Sequence, residues 1–164
     1  MSENKLIFTI LTATIVLAFG LIFVAARLTG KPTVEASTNA RALVSQTSYE
    51  WGEIGINDGK AEATFEIKND GTDTLKLFEG TTSCACTTGQ LFTDSGPSPI
   101  FGMHTSSKYV TEVAPGETAK LTVIFDPLFH GPNGIGDITR TVTMSTNDPA
   151  NPTLGFFLSA KVIK

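Results

Sequence analysis

Four residues concentrate the reactive chemistry of this chain: Cys84 and Cys86, separated by one alanine, and its two histidines, His104 and His130. Met103 precedes His104 and adds a thioether. Thiolate, thioether and imidazole together suit a soft or borderline ion, which makes Cu(I) the first candidate and zinc the second. In a straight strand the two cysteines would share a face about 7 Å apart, so chelating one ion requires a bend. Zinc sites also prefer two or more residues between paired cysteines. The same sulfurs could instead close a redox-active disulfide, or sit as small inert core residues. His130-Gly131-Pro132 equally suits a turn with a solvated imidazole, and Met103 a packing role.

Other routes to catalysis find little in the sequence. There is no Gly-x-Ser-x-Gly elbow, phosphate-cradling loop or His-Glu-x-x-His helix. Glu50, Glu53 and Asp58 read as solvated strand-end and turn residues, and Arg140 as a surface ion-pair partner on an otherwise polar strand face. No catalytic or cofactor-binding residue is expected, and a small-molecule substrate is not expected. The formal charge of −4 and pI near 5.1 supply no basic excess to neutralise phosphates, which argues against nucleic acid as a partner. Two cysteines in one tripeptide are too few and too close for the framework that staples small secreted domains.

The elements that must position these groups are strands. From Leu43 onward no helical periodicity appears, and short alternating runs recur between Gly, Asn, Asp and Pro clusters. Seven strands are expected. The first lies near Val44 to Ile54; the second, Ala61 to Lys68, puts Ala63, Phe65 and Ile67 on one face. Asn69 to Thr72 is a turn in which Gly71 is free to take positive φ. Leu75 to Cys86, Tyr109 to Val113, Lys120 to Phe125, Ile138 to Ser145 and Leu154 to Ile163 complete the set. Ala114-Pro115-Gly116-Glu117 suits a type II turn. Phe65, Phe125, Met144 and Phe156 read as core. If the strands alternate in direction, Cys84, Cys86, Met103, His104 and His130 all arrive at one end of the sandwich.

Ahead of the domain, Leu6 to Ala26 carries no charge and reaches about 30 Å as a helix, the thickness of a bilayer core. The expected organisation is a short tail (1–5), a transmembrane anchor (6–28), a polar linker (29–42) and the sandwich domain (43–164). A cleavable signal peptide is the rival reading, with Val24-Ala25-Ala26 as its small-residue site. Arg27 and Lys31 lie beyond the apolar run, and the positive-inside rule alone would draw that side to the cytoplasm.

Tyr49-Glu50-Trp51-Gly52-Glu53-Ile54, Phe65 to Asn69, Ser83-Cys84-Ala85-Cys86-Thr87, Ala114 to Glu117, Val123 to Pro127 and Thr146-Asn147-Asp148-Pro149, in that order, resemble one bacterial family. It is the domain of unknown function 1573, similar to Hydin-type and major-sperm-protein-like immunoglobulin folds, and the resemblance spans about residues 45–163. It implies an immunoglobulin-like β-sandwich that is exported and attached to the cell envelope, and it is what sets the domain outside the cytoplasm against the charge bias. Two segments are longer than the family pattern: Thr87 to Val113, and the tip Leu128 to Asp137.

Three functions follow as expectations. The first is a membrane-anchored, extracytoplasmic binding or structural module that meets another envelope protein and is not an enzyme. The second is a protein that binds or delivers Cu(I), or less readily zinc, through Cys84, Cys86, His104 and His130 with Met103 as a further ligand. The third is a thiol/disulfide redox protein.

Overall fold

In the computed structural model, residues 3–29, 34–105 and 109–164 are described, with the side chains of residues 3–6 and 24–29 outside the description. The chain divides into two units, Met1–Pro32 and Thr33–Lys164. The first is one helix, α1 (Glu3–Thr29). Two of its threonines turn their hydroxyls back on the helix: Thr12 Oγ1 donates to the Phe8 carbonyl (2.7 Å) and Thr14 Oγ1 to that of Ile10 (3.0 Å). Its large apolar side chains from Ile7 to Phe23 are 48–71% exposed. Among the described residues no helix is long and apolar enough to cross a membrane. The transmembrane reading of residues 6–28 thus finds a helix there, but no span among the described residues.

The second unit is a sandwich of two sheets. Its strands are β1 (Ala42–Val44), β2 (Ser48–Gly55), β3 (Ala61–Asn69), β4 (Leu75–Thr82), β5 (Thr87–Thr93), β6 (Gly96–Pro97), β7 (Phe101–Gly102), β8 (Thr111–Val113), β9 (Thr118–Phe125), β10 (Gly136–Thr146) and β11 (Thr153–Ile163). One sheet runs β1-β3-β9-β5-β6, with β7 also on β5; the other runs β2-β11-β10-β4-β8. The period-2 pattern is clearest on β3 and β11, where Ala63, Phe65 and Ile67 share one core with Leu154, Phe156 and Leu158, while Ala160 and Val162 continue the inward face of β11. Phe65 and Phe156 meet at its centre with ring centroids 4.9 Å apart.

Eleven strands, not seven, stand among the described residues, and the differences have physical causes. The expected first strand is two: β1 pairs with β3 in one sheet, and β2 crosses over to pair in parallel with β11 in the other. The domain also begins before Leu43. Ala40 and Ala42 are buried, and the Asn39 carbonyl accepts the Thr72 N–H at 2.8 Å, so the end of the expected linker packs on the sandwich. Gly71 is needed not for positive φ but for space, since a Cβ there would collide with the Asn39 carbonyl oxygen. Asn69 braces this turn from within: fully buried, it donates through Nδ2 to the carbonyls of Asp73 (2.8 Å) and Val113 (2.9 Å) and accepts the Gly71 N–H at 3.0 Å. Opposite it, Ala114-Pro115-Gly116-Glu117 forms the expected turn, closed by a 3.0 Å bond from Glu117 N–H to Ala114 C=O, with Gly116 at φ 83°.

Strand β5 is not among the seven expected strands, because two of its three inward positions carry no large apolar side chain. Thr87, Gly89 and Leu91 face in, and Gly89 lacks a side chain because the Phe101 ring, delivered by β7, fills the space a Cβ would take.

Candidate functional site

At the end of the sandwich reached by the close of β4 and β9, a second small core forms from Ile56, Cys86, Phe125 and Val162, with Trp51, Ile54, Ala61, Cys84 and Ile138 packed on it. Strand β4 stops at Thr82, and the chain reverses through Ser83 to Cys86 before β5 begins. The reversal is tied on every side. Thr87 N–H donates to Cys84 C=O (3.1 Å), Thr82 Oγ1 bridges the carbonyls of Cys84 and Thr87 (both 3.0 Å), and Asp126 N–H donates to Cys86 C=O (2.9 Å). Ser83 exchanges two bonds with Thr141 on β10, both 2.9 Å.

This turn replaces the straight strand expected through Cys86. It brings the two Cα atoms to 5.2 Å, and the sulfurs are bonded to each other as a disulfide, leaving no free cysteine. The two halves differ in environment. Cys86 is 3% exposed, whereas Cys84 is partly open to solvent. The Cys86 N–H points at Cys84 Sγ (3.2 Å), and His130 Nε2 stands 3.6 Å from the same sulfur. On the buried side, Arg140 Nε donates to Cys86 Sγ at 3.0 Å, and Thr87 Oγ1 lies 3.6 Å from it.

Arg140 is the residue that sequence reading misplaced. Strand β10 sends Ile138, Arg140, Val142 and Met144 to the inner face, so the guanidinium lies between the sheets at their open end. It stacks 5.3 Å over the Phe125 ring, which is itself stacked on Trp51 (5.8 Å), and Nη1 donates to the Thr139 carbonyl at 2.7 Å. Burial lowers its pKa from the usual value, but arginine starts so far above neutrality that it stays cationic. The signal was present in the alternation: a residue between Ile138 and Val142 at period 2 shares their face.

Of the five expected ligands, three converge. One sulfur from each of Cys84 and Cys86 and a ring nitrogen of His130 lie within 4.8 Å of one another, and His104 is not in this group. His104 and Met103 are exposed and follow β7, which pairs with β5 at Thr88 and Gly89 on the far side from β9. Gly102 pairs with Thr88, so this segment leaves β7 beside the start of β5. The donor set is soft, as Cu(I) would want, but a disulfide sulfur carries no thiolate charge and a cation already points at Cys86. A broad open cleft of about 760 Å³ beside β2, β11 and β10, lined by Tyr49, Glu50, Thr139, Arg140, Phe157 and Ser159, is bordered by Arg140 but holds none of the sulfur or imidazole groups.

Around the disulfide stands the tip joining β9 to β10. Asp126 Oδ1 accepts the Leu128 N–H at 3.0 Å, Gly131 N–H closes back on the Leu128 carbonyl at 2.8 Å, and a 3-10 turn follows over Gly131–Gly134. Leu128, Phe129 and Ile135 are exposed there (52%, 54% and 42%), and the Phe129 ring meets His130 edge-on at 5.1 Å.

Fold and site together define an immunoglobulin-like β-sandwich with a Cys-x-Cys disulfide at one end. Residues 43–97 match the family described as a protein of unknown function, DUF1573, so the resemblance read from the motifs is borne out over that stretch. None of the curated proteins compared with the chain matches it. Among solved structures, a protein of unknown function from Porphyromonas gingivalis W83 is similar at TM-score 0.58 and 22% identity, over 79% of this chain and 50% of that one. The chain therefore spans about half the length of that relative. A family 123 glycoside hydrolase from Clostridium perfringens is similar at TM-score 0.51 and 10% identity, over 72% of this chain and 23% of that one. At these identities the likeness is one of fold.

Proposed function

We propose that this chain is an extracytoplasmic binding module, held at a membrane by residues 6–28, that engages a protein of the cell envelope through the end of the sandwich around Cys84 and His130. The observation that carries this reading is the exposed apolar rim of Leu128, Phe129 and Ile135 on a braced loop beside the disulfide. Large apolar side chains gathered on one rigid tip favour a macromolecular partner. The tether is supported by a helix whose described apolar side chains are exposed all round and whose Thr12 and Thr14 hydroxyls are satisfied within the helix. A closed disulfide with no free thiol fits an oxidising compartment. The domain binds and is not itself a catalyst of turnover on a small molecule.

The test is photo-crosslinking in intact cells. A photoreactive residue at position 129 should give one discrete adduct with an envelope protein, whereas the same residue at position 70, at the opposite end of β3, should give none. Equal labelling from both positions, or none from either, refutes the reading. The full chain should sediment with membranes and resist carbonate extraction, with the domain open to protease added outside spheroplasts. Recovery of a soluble form beginning near Arg27 would refute the tether.

A further inference from the structure

We infer that the Cys84–Cys86 disulfide is a thiol–disulfide exchange centre whose substrate is a dithiol on a partner protein, with Cys84 the sulfur attacked and Cys86 the sulfur that leaves. The assignment rests on the asymmetry between the two sulfurs. Exchange requires an attacking thiolate to reach one sulfur while the other departs with the electron pair. Cys84 is the half open to solvent, and Cys86 is shut between the sheets. Behind Cys86, and only there, stands a guanidinium: Arg140 Nε at 3.0 Å, held flat by the Phe125 ring and by its bond to the Thr139 carbonyl. A neutral disulfide sulfur is a weak acceptor, so this bond gains little in the oxidised state. It gains far more once the sulfur carries a negative charge, as a charge-assisted bond already in place. Thr87 Oγ1, 3.6 Å away, can turn its hydroxyl to the same sulfur. The arrangement is complementary to a Cys86 thiolate.

The step balances as follows. A partner thiolate attacks Cys84 Sγ, a partner–Cys84 bond forms, the Cys84–Cys86 bond breaks, and the electron pair stays on Cys86 beside Arg140. The partner's second thiolate then attacks the partner's own sulfur in that mixed disulfide and closes the partner's disulfide. Cys84 leaves as thiolate and takes a proton from solvent or from His130, whose Nε2 is 3.6 Å from it. Two electrons pass from the partner to this domain, the partner's two thiol protons go to solvent, one proton is taken up at Cys84 while Cys86 remains a thiolate beside Arg140, and the reverse sequence reduces a partner disulfide. A metal function is the competing use of the same atoms, but it would set a cation beside Arg140.

The experiment uses the full chain in detergent with dithiothreitol and glutathione as probes. Reduction by dithiothreitol is followed by quenching with an alkylating agent and mass analysis. Folded wild-type protein should be reduced without unfolding, and Arg140→Gln should slow reduction by about tenfold or more through loss of the charge behind the leaving sulfur. Arg140→Lys should recover part of the rate, which a purely structural role for Arg140 would not give. In Cys86→Ser, glutathione disulfide should form a stable adduct at Cys84; in Cys84→Ser, Cys86 should react far more slowly. A disulfide inert to dithiothreitol until the domain melts overturns the proposal. So do equal reduction rates in wild type and Arg140→Gln, or preferential trapping at Cys86. Uptake of one Cu(I) by the reduced protein with no exchange activity assigns the site to metal instead. Failure to crosslink at position 129 would remove the apolar rim but leave these rates unchanged.

Discussion

If Cys84–Cys86 is there to react, reducing it should cost the fold little, and the size of that cost follows from the ring it closes. The cysteines are two positions apart, so the bond closes a loop of three residues. On the chain-entropy relation, a three-residue loop removes about 5.4 cal/mol/K from the unfolded ensemble, or about 1.6 kcal/mol at 25 °C. A domain of about 130 residues has an unfolding entropy near 0.27 kcal/mol/K, so that energy corresponds to about 6 °C in Tm. Reduction keeps both sulfurs in the turn, where the hydrogen bonds of the Thr82 hydroxyl, Ser83, and the Thr87 and Asp126 N–H groups hold the loop independently of the S–S bond. The Arg140 contact with Cys86 also survives and strengthens if that sulfur ionises, which offsets part of the loss. The assay is scanning calorimetry on the oxidised protein and on protein reduced with a phosphine. The expected shift is about 6 °C or less. A fall of more than about 15 °C would mark the disulfide as a structural staple and refute the reasoning, because the loop-entropy relation supplies nothing of that size for so short a ring.

Two further predictions concern the scaffold. Phe65→Ala removes a ring that is 2% exposed, with its centroid 4.9 Å from that of Phe156; it should cost about 3–5 kcal/mol and lower Tm by about 11–18 °C, and a shift under about 5 °C would show that the site collapses around the missing ring. Burial pushes the Asp148 carboxyl up, but bonds from the Asn151 side chain (2.9 Å) and from backbone N–H groups including Ala42 (3.0 Å) and Ala150 (2.8 Å) outweigh it and hold the pKa below its usual value. The carboxylate therefore contributes stability that is present above the unfolded pKa near 3.9 and is lost as pH falls through the lower folded value. Asp148→Asn should cost about 2–3 kcal/mol at pH 7, and calorimetry should find its difference from wild type shrinking below about pH 4. A difference that stays constant down to pH 2 would contradict that sign.

Local sequence settled what depends on local chemistry. Strict alternation at Ala63-Phe65-Ile67 and at Leu154-Phe156-Leu158-Ala160-Val162 names both strands and their inward faces, because successive side chains of a strand must point to opposite sides. Pro115 and Gly116 specify their turn through their own φ preferences. Cys-x-Cys and His130 named three atoms of the site, and the direction of the strands brought them to one end. Tertiary structure decided whatever depends on pairing between distant segments, which no local period encodes. It split Val44 to Ile54 between two sheets, because β3 and β11 each required a different partner. It made Thr87–Thr93 a strand, whose inward glycine is intelligible only once Phe101 is seen over Gly89. Arg140 sits between the two cases: its alternation with Ile138 and Val142 put it inside, but only the packed end of the sandwich sets the buried sulfur of Cys86 3.0 Å from its guanidinium.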